Sequence, residues 1–150
     1  MSLKYSDLFN LKDIYLDQIF ETIDNHLRLI FNRSKTSDIA ETITIGEIEI
    51  KDSYSIDIDE TKPQIQMDFE WYIGYSVRNE SYTVWDDYEE FDVKIFRIFS
   101  KSRYLDFISI STIATEEYPG PYKHYGMSCL NHVIDVVSNT DPIIVEISRY

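Results

Sequence analysis

The stretch from Gln64 to Val77 reads QIQMDFEWYIGYSV. Ile65, Met67, Phe69, Trp71, Ile73, Tyr75 and Val77 fall on one side of an extended chain, and Gln64, Gln66, Asp68, Glu70, Tyr72, Gly74 and Ser76 on the other. Side chains alternate faces along a strand, so seven alternations in succession identify a β-strand with one apolar and one solvated face. Such a strand belongs in an antiparallel sheet covered on one side.

On its N-terminal side, apolar residues alternate again at Ile43 and Ile45 and then at Ile48, Ile50, Tyr54, Ile56 and Ile58. The phase flips by one residue at Gly46-Glu47, which requires either a bulge or a tight turn. Glu60-Thr61-Lys62-Pro63 reads as the turn that follows. Further upstream, Leu11, Ile14, Tyr15, Ile19, Ile23, Leu27, Ile30 and Phe31 recur at intervals of three and four, which predicts a long amphipathic helix from Asn10 to about Asn32.

On the C-terminal side, Phe91–Ser100 and Tyr104–Thr115 read as strands joined near Lys101-Ser102-Arg103. Pro119-Gly120-Pro121 breaks regular structure. Met127, Leu130, Val133, Ile134 and Val137 predict a second helix over residues 127–138, and Ile143–Ile147 a last strand. The expected fold is a single α+β domain over residues 1–150. Its mostly antiparallel, meander-like sheet of five to six strands carries a long N-terminal helix and a second helix near the C-terminus, packed on one face.

Charge is unevenly placed. Residues 41–92 hold 15 of the 27 acids and 3 of the 14 bases, so nearly all of the net −13 lies in the middle third. A field of that sign repels nucleic acid and anionic lipid and attracts basic surfaces. No basic stripe interleaved with aromatics is present, which leaves no footprint for nucleic acid. The chain has no leader-like start and no apolar run long enough to span a membrane, and its one cysteine excludes an internal disulfide framework. A cytoplasmic setting is the expectation.

One cluster carries reactive residue types: His124, Cys129, His132 and Asp135. On a helix the last three would share a face, and imidazole, thiolate and carboxylate suit a transition metal or an activated nucleophile. Their spacing matches no zinc pattern, so no metal or cofactor is expected, and the structural reading is a buried thiol with histidines bordering a helix. The carboxylates at Asp57, Asp59 and Glu60, and at Asp86, Asp87, Glu89, Glu90 and Asp92, lack the ligand order of a calcium loop. Glycine-rich phosphate loops and hydrolase motifs are absent from the sequence.

Aromatic residues do coincide with acids at Tyr72, Tyr82, Trp85, Asp86, Asp87, Tyr88, Glu89 and Glu90. Aromatics concentrate binding energy at interfaces, and carboxylates steer a basic partner, so these eight residues are the expected partner-binding set. In size, net charge and its Trp85–Phe91 segment the chain resembles the small acidic immunity proteins of bacterial toxin systems. That resemblance implies a non-catalytic inhibitor covering a basic toxin or nuclease domain. No motif of such a family is matched, so no residue role is carried over. An enzyme or metal protein built on His124, Cys129, His132 and Asp135, and a self-associating scaffold, are the alternatives.

Overall fold

The computed structural model describes residues 2–149 and is dominated by strands, which hold 53% of the chain against 11% for helix. The expected α+β fold with two helices on one sheet is thereby overturned. The chain instead forms two antiparallel sheets packed face to face.

The predicted N-terminal helix is a hairpin, with β2 at Ile14–Ile23 and β3 at His26–Thr36. Two bulges explain the misleading period. The register shifts between Leu16 and Gln18, and again between Glu21 and Ile23. The extra residue at the first bulge moves the core-facing side from even positions, Ile14 and Leu16, to the odd position Ile19. A phase slip of this kind converts period-two alternation into the three-and-four spacing of a helix. Asp24-Asn25 makes the turn, and Asn25 adopts φ 65°. Because a Cβ in the left-handed region crowds the following carbonyl, Asn25→Ala should cost roughly 1–2 kcal/mol in thermal unfolding while Asn25→Gly costs little.

The decisive alternating stretch is not the single strand its pattern predicted but two strands, one in each sheet. Its first part is β7, Gln64–Phe69; a turn at Glu70-Trp71 follows; the second part is β8, Tyr72–Asn79. β7 pairs with β3, whereas β8 pairs with β12, His132–Ser138, in the second sheet. The first sheet runs β1-β13-β7-β3-β2, where β1 is Ser2–Leu3 and β13 is Ile143–Ile147, and β6, Ile56–Ile58, pairs with the far end of β3. The second runs β8-β12-β11-β10-β9, with β9 at Glu90–Phe91, β10 at Phe96–Lys101 and β11 at Lys123–Ser128. The expected meander appears only in the second sheet, where the consecutive strands β9 to β12 lie side by side; the first sheet is not one.

The core lies between the sheets. Leu27, Leu29, Phe31, Ile65, Met67, Phe69 and Ile144 face Phe96, Tyr125, Met127, Ile134 and Val136. Edge-to-face ring pairs cross the interface, Phe31 with Phe96 at 5.6 Å and Phe69 with Tyr125 at 5.3 Å. Tyr5 wedges in from the side and donates its hydroxyl to the Arg97 carbonyl at 2.9 Å.

The predicted second helix, 127–138, is also a strand pair: β11, a turn at 129–131, and β12. β12 is apolar on both faces because both are buried, Ile134 and Val136 toward the inter-sheet core and Val133 and Val137 on the opposite side. A doubly buried strand leaves no period that separates it from a helix. Conversely, the expected strand at 104–115 contains the one long helix among the described residues, α1, Arg103–Ser111. Ser102 caps α1 by accepting from the Leu105 N–H at 3.0 Å, and Ile108 is buried on its inner face. The Gly46-Glu47 irregularity is a turn: β4, Glu41–Ile45, and β5, Ile48–Ser53, form a two-residue hairpin closed by the pair Ile45 and Ile48. No helix among the described residues is long and apolar enough to cross a membrane.

Candidate functional site

The outer face of the second sheet is where the reactive residue types meet. Cross-strand register puts Gly74 and His124 beside Val137, Ser76 and Gly126 beside Asp135, and Phe99 beside His124. α1 lies across this face so closely that a Cβ on Gly74 would stand 2.7 Å from the Ile108 side chain. Beneath the helix runs a buried polar relay. The Ser102 hydroxyl lies 2.7 Å from His124 Nδ1, and His124 Nε2 lies 2.8 Å from Asp135 Oδ1. Arg78 donates to the other carboxylate oxygen at 3.1 Å. A ring protonated at Nε2 serves both neighbours, donating to Asp135 and accepting the Ser102 proton.

These three residue types are those of a nucleophilic triad, yet a nucleophile must reach its substrate. Ser102 and His124 are 0% exposed, and the Ser102 oxygen is already engaged as the α1 cap. Phe99 stacks on the imidazole at 4.2 Å and closes it further. The relay therefore fastens the start of α1 to the sheet. Only Asp135 and Arg78 reach a groove of about 540 Å³, walled by Tyr82, Tyr104 and Phe107.

The other two members of the expected cluster lie elsewhere. Cys129 is buried in the inter-sheet core, where burial pushes its thiol pKa well up and away from thiolate. His132 starts β12, three residues from Asp135, and on a strand that interval places side chains on opposite faces. Among the described residues no three His, Cys, Asp or Glu side chains converge to hold a metal.

The expected partner-binding residues fold back on the protein itself. Arg103 pairs with Asp86 at 2.5 Å and holds its carboxyl below the usual range, and Glu89 accepts from the Arg103 N–H at 3.1 Å. Tyr88 donates to Asp106 and lies under the cations of Lys101 and Arg103, at 4.5 and 4.8 Å. Trp85 stacks on Arg97 at 4.9 Å. Tyr72 donates to Glu21, which together with partial burial pushes its pKa up to about 12. Glu90 enters the short edge strand β9. Tyr82, Trp85, Asp86, Asp87 and Glu90 remain exposed. Of this segment's carboxylates, Asp86 is the one held in an ion pair among the described residues.

The β4–β5 hairpin is the surface that sequence reasoning did not single out. Among the described residues its strands pair with one another and with no other strand. Ile43 faces Ile50 and Ile45 faces Ile48, giving one apolar face, and Ile45 and Ile48 are 64% and 66% exposed. In the flanking sequence Ile39, Tyr54, Ile56 and Ile58 are exposed as well. Glu41, Glu47 and Glu49 are exposed on the same arm. The available signal was the isolated Gly46 turn between two short runs, which marks a free-standing hairpin as well as a sheet corner. Comparison with known proteins finds no matching family model, no similar curated protein and no similar solved structure.

Proposed function

We propose that the protein is a non-catalytic binding domain that grips a basic protein partner through its acidic, isoleucine-lined β4–β5 arm. The observation that supports this most is the bare ladder of Ile43, Ile45, Ile48 and Ile50 on a hairpin paired with nothing else. Two-stranded hairpins are marginal in water unless an apolar face is covered, and covering a half-exposed isoleucine is worth on the order of 1 kcal/mol. An exposed patch of this kind marks an interaction surface. Charge selects the occupant: the arm lies in the segment that carries nearly all of the net −13, so a second copy would be repelled and a cationic surface drawn in.

A basic domain acting on an anionic substrate, such as a nuclease-type toxin, fits that chemistry. Covering its cationic surface would exclude the substrate by competition, as in the immunity proteins that the chain resembles in general character. Residues Tyr82 and Asp87 lie exposed and are free to widen the contact.

The test is capture of partners at low and high salt by the protein and by an Ile45→Ser/Ile48→Ser variant, with sedimentation of the protein alone. A basic protein held at low salt, released at high salt and lost by at least about tenfold in the variant is the expected result. Identical capture by both proteins, or a concentration-dependent dimer broken by the same substitutions, would overturn it.

A further inference from the structure

Arg97, in β10, is a cation that plays no part in the β4–β5 arm. It is 7% exposed, and its Nε donates to the Lys94 carbonyl at 2.8 Å. Its guanidinium is sandwiched between the rings of Phe91, at 4.1 Å, and Trp85, at 4.9 Å. Among the described residues no carboxylate lies within ion-pair distance of it, and its two terminal amino groups have no acceptor. A buried charge without a counter-charge is costly, and burial pulls the guanidinium pKa down against the weaker opposing fields of Glu89 and Asp135.

The same arginine lines a cavity of about 390 Å³. Lys94 adds a second cation and Ser128 a hydroxyl, while Ile95, Leu130 and Trp85 offer apolar wall. With Nε already bonded, the guanidinium presents its two terminal amino groups, the fork that receives a planar carboxylate in bidentate fashion. Asp13 and Glu80 also line the cavity, and with a net charge of −13 they disfavour a dianion such as phosphate. We infer that this cavity binds a small organic monocarboxylate, its charged end on Arg97 and Lys94 and its carbon body against Ile95, Leu130 and the indole of Trp85.

Trp85 makes the site visible. In a Trp71→Phe background, 3-methylbutanoate should shift the remaining tryptophan emission saturably, while the neutral amide of the same acid and inorganic phosphate should leave it unchanged. Lys94 is exposed, so Lys94→Gln keeps the fold and should weaken binding by about three- to fivefold, the worth of one exposed ion pair. Arg97→Lys, which replaces the fork by a point charge, should weaken it further. Absence of saturation up to about 50 mM, a range that spans even millimolar affinity, would overturn the inference. So would an equal response to the neutral amide; either outcome leaves Arg97 as a clamp for Trp85 and Phe91.

Discussion

Asp135→Ala should lower the unfolding free energy by about 3–5 kcal/mol, the usual cost of stranding one member of a buried charged network. The carboxylate is 4% exposed and accepts from His124 Nε2, Arg78 Nη2 and Ser76. Removing it leaves the fully buried His124 Nε2–H without an acceptor under α1. The Arg78 side of the network contributes little to that cost, because Arg78 is half exposed and water replaces its partner. Asp135→Asn keeps an acceptor for the imidazole and should cost clearly less. Urea unfolding followed by circular dichroism measures both, and a loss under about 1 kcal/mol for the alanine variant would show that the relay does not hold α1.

Phe96→Ala is expected to cost a similar 3–5 kcal/mol, for a different reason. The ring is 0% exposed and stands edge-on to Phe31 in the opposite sheet and to Tyr5 at 5.8 Å. Its loss opens a void between the layers that strands on two paired sheets cannot collapse to fill. The same unfolding measurement checks it. A cost near that of a surface substitution would contradict the face-to-face packing itself, since a single open sheet leaves Phe96 much less to lose.

Extended structure was legible where an unbroken alternation leaves one face wet. Gln64–Phe69, Tyr72–Asn79 and Ile143–Ile147 alternate or end as their residues require, and the Pro119-Gly120-Pro121 break is irregular. Reading failed where a second physical effect rewrote the period. Bulges at Asp17 and Thr22 made a hairpin mimic a helix, and burial on both faces made β12 do the same. α1 was hidden because only Ile108 is fully buried on it, while Phe107 and Ile110 are exposed apolar residues that blur its stripe. At the candidate sites, composition located the acids and aromatics but not their partners. Nothing local to Asp86 or Tyr88 reveals that Arg103 and Lys101 lie against them, and nothing local to Ile45 reveals that no sheet covers it.

The position of β13 has a consequence for the chain while it is being made. In the finished sheet β13 is wedged between β1 and β7. β7 can join β3 as soon as both have emerged, but Ile143 follows Phe69 only after the second sheet has been threaded out. At about 5–20 residues per second, that interval lasts roughly 4–15 s. For that time the nascent β7 has one open hydrogen-bonding edge. Gln64, Gln66 and Asp68 on its outer face are what discourage foreign strands from docking there before the native one arrives.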